Sequence, residues 1–578
     1  MLVSVGFGNK HKTRYYKIAP SMKSNPISNF IILATLLLFL FSGTVCLCSD
    51  AQQPSFQPDV LQVKRLSRSL SLLKSATATH HPEVRIMIYG QSHSLGEWPV
   101  YLIDNIQRTY PHARIVWTNK SVVAFSSMLL SRSVKADVIP WQPDILFLHC
   151  LGDDRGDYHN LYSTISKFCT ADVIVQADHV NTAGGALESL DVSEIGPDSK
   201  PVLRNYLWLP EIVNQYKFCW ADIRTPWKEY LISNKLFYLD LLRDGFHVND
   251  RGHHLTADLL SQFLIPRSDV ELVDPLNYPK VRTLELKKEI FANGNHLPVR
   301  FTGNRVDVIY DETEPTNAPV YEYTLDNKTP DQVQSLYDFD RASFTCGLPW
   351  PGILAADHVS MPFEERWTIY TKSISLVTGQ VFFSVEGSKT GPDGEGSNFF
   401  FPFVSNSGRL KIEPQAFMQG LAFMYSQQEP PADWKITVDC VLRAVRSFRP
   451  RPWLDKSAEV GETLFLSSDD QMHELDIKSK IAGIAGIKAL RVFSPSGQAA
   501  IEILVPPVSS GLVAEMRGDQ IVISWPEIIG SGRLQVSKNV GESAVWSSVN
   551  TTPDLKNHRF EIIVSAGLAD RLFYRISQ

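Results

Sequence analysis

The stretch Val84–Ser94, VRIMIYGQSHS, decides the fold. Its first part, Val84 to Tyr89, is apolar at nearly every position, and a run this short and continuous reads as a strand buried on both faces. It breaks at Gly90-Gln91-Ser92, a turn signal that leaves a hydroxyl at the strand's carboxyl end. Four more strand-like runs follow: Arg114 to Trp117, Asp144 to His149, Ala171 to Gln176 and Phe218 to Ile223. Helix-patterned segments separate most of them, including Trp98 to Thr109, Ala124 to Ser131 and Tyr158 to Phe168. Strand and helix in alternation imply a parallel sheet covered on both faces, with ligands taken up at the carboxyl ends of the strands.

A second stretch reaches the same edge. Asp244–His254, DGFHVNDRGHH, sets a carboxylate and an imidazole three residues apart, just ahead of a helix-like segment near Arg251 to Phe263. A serine hydroxyl is a poor nucleophile at neutral pH and needs a base for its proton, with an anion to orient and stabilise that base once charged. Ser92, His247 and Asp244 supply those three groups. Each has a plainer reading: serine after a strand is ordinary turn chemistry, and Asp-x-x-His is a common helix-start cap.

Taken together, the two stretches resemble the SGNH, or GDSL-type, hydrolases over about residues 84–266. Gln91 stands where the commoner form has Asp, as in sialate and carbohydrate acetylesterase relatives. Asp244, His247, Asn249 and Gly252 fall at the places of the family's last block, leading into LTADLL. The resemblance implies an α/β fold, a flavodoxin-like three-layer α/β/α domain over 83–266, and a catalytic triad of Ser92, Asp244 and His247. It implies an oxyanion hole built from the amides of Ser92 and of Val123 or Ala124, with Asp153 nearby, and no metal or organic cofactor. Gln91 is a candidate substrate contact. His179, just past the fourth strand, is another, set against the plainer reading of a structural loop histidine. Two departures stand out. NKSVVAFSS offers Val123 and Ala124 where glycines are usual, so that an amide there donates provided its residue has a negative φ. Gly152 is followed by Asp153 and Asp154 where Asn is usual, and a carboxylate repels an oxyanion unless it is protonated or turned aside.

The flanks read differently. Lys10, Lys12, Arg14, Lys17 and Lys23 precede the apolar run Phe30 to Cys48, so residues 1–50 read as a signal peptide or signal anchor, and the chain as secreted or membrane-anchored outside the cytosol. Residues 51–82, rich in Ser, Gln, Ala and Lys, read as a linker with one short helix. Strand-like runs set apart by Gly, Pro, Asn and Asp clusters imply a β-sandwich over 280–448. The Pro-rich RPRPW at Arg449–Trp453 marks a boundary, and 455–578 reads as one or two small β-rich modules. At 578 residues, several cores are expected.

Composition narrows the function. Apolar residues at 44% exclude a disordered chain, and a net charge of -6 offers no basic field for nucleic acid. The cysteines form no CxxC pair and the histidines no HExxH pattern, so no zinc site is expected. Of seven cysteines, Cys150, Cys169 and Cys219 read as small buried apolar residues, and Cys346 and Cys440 are the pair available for a bridge. The expected protein is an exported serine esterase whose partner is an ester substrate, an acetylated polysaccharide first, touching a membrane only through its N-terminal segment. Two alternatives stay open: an esterase for lipids or simple acyl esters, and a cell-surface binding protein whose hydrolase-like domain has lost activity.

Overall fold

The computed structural model describes residues 56–181, 200–286, 296–311, 319–345, 347–452, 458–479, 486–504 and most of 512–577. The signal or anchor segment at 1–50 and Cys346 lie outside the described residues. Among the described residues, no helix is long and apolar enough to cross a membrane.

All five apolar runs of the first domain form strands: β1 (Glu83–Gly90), β2 (Arg114–Asn119), β3 (Ile145–His149), β4 (Asp172–Gln176) and β5 (Cys219–Ala221). They pair in parallel, in the order β2-β1-β3-β4-β5. That is the flavodoxin-type order, in which the chain leaves β1 toward one edge and returns across it to β3. Ile86, Met87, Ile88 and Tyr89 of β1 are wholly buried, as a central strand of a covered sheet requires. The helices Ser127–Asp137 and Arg155–Phe168 pack together on one face, as right-handed crossovers between parallel strands require. Trp98–Thr109 and Asp250–Ser261 pair on the opposite face. The reversal of strand order opens a crevice at the carboxyl ends of β1 and β3, and Ser92 follows β1 directly.

Gly90 is fixed by this geometry. A Cβ there would stand 2.3 Å from the His149 carbonyl oxygen on the neighbouring strand, so only glycine lets the end of β1 lie so close to β3.

The segment read as a linker is part of the domain from Phe56 onward. Helices Val60–Lys64 and Ser67–Lys74 bury Val63, Leu66, Leu70 and Leu73 in the same core as the sheet. Arg68 pairs with Asp144 at 2.9 Å, and Ser69 N–H donates to Asp172. Polar composition hid two helices that present one narrow apolar stripe.

The β-rich part is divided differently from the reading of the sequence. Tyr337–Phe339, Glu365–Ile374, Val381–Gly387, Gly391–Ser397 and Lys435–Leu442 form one five-stranded antiparallel sheet, whose apolar side chains join the core of the α/β domain. A second sheet combines Val281–Glu285, His296–Tyr310 and Tyr321–Leu325 with Gly461–Ser479 and Ile487–Phe493 around a separate core. This sheet crosses the boundary read at Arg449–Trp453, so 280–448 is not one unit. Alternation identifies strands, but pairing between His296–Tyr310 and Gly461–Ser479 has no local signature. Smaller sheets built on Val513–Arg517 and Arg533–Ser537 share a third core around Ile523, Trp525, Leu534 and Ile562.

Candidate active site

Ser92 opens a single 3₁₀ turn, Ser92–Leu95, at the end of β1. Three contacts brace the turn: Ser94 N–H donates to the Gln91 carbonyl, Trp98 Nε1 to the His93 carbonyl, and Asn119 Nδ2 to the Ser94 carbonyl at 2.6 Å.

The loop carrying His247 is tied across its base. Arg243 N–H donates to the His247 carbonyl and Asn249 N–H to the Leu241 carbonyl, while Gly245 takes φ +84°. Asn249 caps the helix Asp250–Ser261 by accepting from Gly252 N–H at 3.1 Å. A Cβ on Gly252 would lie 2.5 Å from the Leu241 carbonyl oxygen. The Asn and Gly of the sequence pattern thus lock the loop to its helix.

The structure brings the three predicted catalytic residues together. His247 Nε2 lies 3.0 Å from Ser92 Oγ, and His247 Nδ1 lies 2.8 Å from Asp244 Oδ2. Asp244 Oδ1 accepts the amides of His247 at 2.8 Å and Phe246 at 3.1 Å. Those amides, the His247 amide first, hold the Asp244 carboxyl below the usual range, and it stays an anion. An ionised Asp244 accepts the hydrogen bond from Nδ1–H of His247, which leaves Nε2 as the ring nitrogen that faces Ser92. The Ser92 hydroxyl has two acceptors, His247 Nε2 and Gln91 Oε1 at 2.6 Å, and rotation about its Cβ–Oγ bond passes the proton from one to the other.

Behind the nucleophile lies a polar network that sequence reading missed. Gln91 Nε2 approaches His149 Nδ1 at 3.4 Å, and His149 Nε2 meets Asp178 Oδ1 at 3.0 Å. Asp178, 2% exposed, also accepts Arg204 Nη2 at 2.7 Å and Asn205 Nδ2 at 2.9 Å. Burial alone would raise its carboxyl, but Arg204, His149 and Asn205 outweigh it and hold it well below the usual range. Arg204 and Asn205 lie on a π-helical segment, Arg204–Trp208, which aims both at one carboxylate.

His179, Gln91, Asp153 and Ala124 are each held by partners or backbone of their own. His179 is 2% exposed, stacks on His93 at 4.5 Å and donates Nε2–H to the Phe246 carbonyl at 2.7 Å. It holds the Asp244–His247 loop from beneath. Gln91 is likewise buried, between Ser92 and His149, and acts on the nucleophile. Asp153 turns aside to Arg204 Nη1 at 3.1 Å, so its charge is already paired. Ala124 answers the missing glycine with φ +59°, the left-handed region, against the negative φ required in the sequence reading. Val123 and Ala124 N–H take part in no hydrogen bond among the described residues.

Cys150, Cys169, Cys219 and Cys440 carry free, buried thiols. No set of three or more His, Cys, Asp or Glu fit to hold a metal occurs among the described residues.

The buried histidines set the response to acid. Burial pushes His179 down to about 4 and lowers His93 well below its ordinary value, with His179 and His149 adding to the effect on His93. The unfolded chain binds these protons near pH 6.5 and the folded chain does not, so the stability that His179 and His93 contribute is present above about pH 6.5 and is lost as pH drops from there toward 4. His179 alone contributes roughly 3 kcal/mol to that loss. A thermal unfolding series from pH 8 to 4 is expected to show Tm falling only in the lower part. A flat Tm between pH 6.5 and 4 would contradict neutral buried histidines.

No family model matches the chain, and no curated protein matches it. Among solved structures, it is similar to a two-domain esterase active on acetylated mannans, at 11% identity over 75% of this chain and 95% of that one, with a TM-score of 0.30. It is also similar to Axe2, an acetylxylan esterase from Geobacillus stearothermophilus, at 16% identity over 33% of this chain and 99% of that one, TM-score 0.28. A GDSL-like lipase candidate from Parabacteroides merdae is similar at 11% identity over 32% of this chain and 98% of its own, TM-score 0.28.

Proposed function

We propose that the chain is an exported serine hydrolase of SGNH type that removes acetyl groups from carbohydrate. The observation that carries this reading is the continuous line from Asp244 through His247 to Ser92, closed at 2.8 and 3.0 Å at the mouth of the sheet crevice. Ser92 Oγ bonds to the acyl carbon while its proton passes to His247 Nε2, and the carbonyl π pair moves onto oxygen. Collapse restores the carbonyl and breaks the bond to the alcohol oxygen, which leaves with the proton from His247. A water attacks the acyl carbon as one of its protons passes to His247, and collapse breaks the bond to Ser92 Oγ, which takes that proton from His247 while acetic acid leaves and ionises. The amides of Ser92 and of Val123 or Ala124 receive the oxyanion.

Two features support a small acyl group on a bulky alcohol. His247 and Asp244 are 32% and 48% exposed in their side chains, which fits a shallow site reached by a polymer. The GQS turn resembles the acetylesterase variants. Export is supported by the basic residues ahead of the apolar run Phe30 to Cys48.

The test compares p-nitrophenyl esters from acetyl to dodecanoyl with acetate release from acetylated xylan and mannan. The expected result is the highest kcat/KM on acetyl, a fall of at least about tenfold by the octanoyl ester, and acetate released from at least one polymer. Preference for the long chains would replace carbohydrate by lipid, and no turnover of any ester would leave the binding-protein reading in its place.

A further inference from the structure

We infer that Trp350, carried by the β-rich part of the chain, positions the Ala124 amide as the second oxyanion donor of the Ser92 site. This role rests on the ester-hydrolase reading above. Pairing of β2 with β1 continues past the strand: Lys120 N–H donates to the Ile88 carbonyl and Val122 N–H to the Gly90 carbonyl, both at 2.9 Å. The next residues, Val123 and Ala124, therefore stand beside Gln91 and Ser92 at the carboxyl edge.

Trp350 Nε1–H donates to the Val123 carbonyl at 2.9 Å. A trans peptide sends its C=O and N–H to opposite sides, so a clamp on the Val123 oxygen fixes the Ala124 N–H facing away from Trp350. That N–H has no other partner among the described residues, as an amide kept for a developing charge requires. Hydrogen bonding at the carbonyl also polarises the same amide and strengthens it as a donor.

The clamp accounts for the backbone as well. Ala124 sits at φ +59°, a conformation that disfavours any residue with a Cβ and persists only where its surroundings impose it. Trp350 is 6% exposed, meets the buried Phe125 ring edge-on at 6.2 Å, and is held by its own backbone bonds to Leu348 and Thr345. Arg341 grips the other end of the loop, donating to the Lys120 carbonyl at 2.7 Å while paired with Asp137. The β-rich part thus holds in alanine the shape that a glycine would take unaided.

The experiment compares the full chain with Trp350→Phe, Ala124→Gly and the double variant on p-nitrophenyl acetate. Rates are referred to active sites titrated with an organophosphate, so that unfolded protein is not counted. Trp350→Phe keeps a ring against Phe125 but loses the N–H, and is expected to lower kcat about tenfold or more with KM within about twofold, as for a group acting on the transition state. With glycine at 124 the left-handed conformation needs no clamp, and the same Trp350→Phe change is expected to cost under about threefold. Wild-type kcat in Trp350→Phe, or equal losses in both backgrounds, would overturn the role of Trp350. Should Trp350→Phe fail to fold, Ala124→Val puts a β-branched residue at the same φ and is expected to lose about tenfold in kcat; unchanged kcat there overturns the proposal. Ser92→Ala separates the two levels: if it turns over like wild type the esterase reading fails, whereas a silent Ser92→Ala beside an unimpaired Trp350→Phe removes only the clamp.

Discussion

Ser92→Ala is expected to lower kcat for p-nitrophenyl acetate by a factor on the order of 10⁴ to 10⁶, with the fold intact. The size follows from what is lost. Without Oγ no acyl-enzyme forms, and what remains is water attack aided by binding and by whatever amides face the oxyanion. The fold should be unaffected, because Ser92 is only half buried and, among the described residues, its hydroxyl bonds to Gln91 and His247 alone. The check is steady-state kinetics on purified protein, with circular dichroism to show that Tm is unchanged. A loss below about tenfold would mean that His247 activates water directly or that the chemistry lies elsewhere.

Asp178→Ala is expected to destabilise the α/β domain by about 3–5 kcal/mol. Asp178 and Arg204 are 3% and 7% exposed in their side chains, and removing the carboxylate leaves a buried guanidinium with the half-exposed Asp153 and the Gly152 carbonyl as its remaining partners among the described residues. His149 Nε2 and Asn205 Nδ2 lose their acceptor in the same step. A whole domain is held by about 5–15 kcal/mol, so the loss is a large share of the total. It should be read from the urea transition of the α/β domain, since the described residues form three separate cores and need not unfold in one step. A shift under about 1 kcal/mol would show that water reaches Arg204 and solvates it once Asp178 is gone.

The sheet is legible in the sequence because its inner strands β1, β3 and β4 are largely buried on both faces, which leaves each as a nearly unbroken apolar run between turns. The Asp244–His247 loop is legible for a different reason: its carboxylate, imidazole, helix cap and packing glycine all act within nine residues. Where partners are far apart the signal vanishes. Trp350 meets Val123 across 227 residues, and nothing near either marks the other. Arg204 reaches Asp178 through a π-helical segment whose side-chain directions an ordinary helical period misplaces. Ala124 is the sharpest case. Its residue type argues against the left-handed backbone it adopts, and only the clamp from another part of the chain explains why it stays there. In residues 56–82 the signal was present, since Val63, Leu66, Leu70 and Leu73 recur at helical spacing, but polar neighbours diluted it.

The central claim is that Ser92 is a nucleophile activated by His247. Diisopropyl fluorophosphate tests it most directly, because the reagent phosphorylates only an activated hydroxyl and needs no knowledge of the natural ester. Intact mass and peptide mapping are expected to find one adduct per chain, on the peptide that contains Ser92, and none in Ser92→Ala or in His247→Ala. No adduct on the wild-type chain, or one that persists in Ser92→Ala, would contradict the assignment.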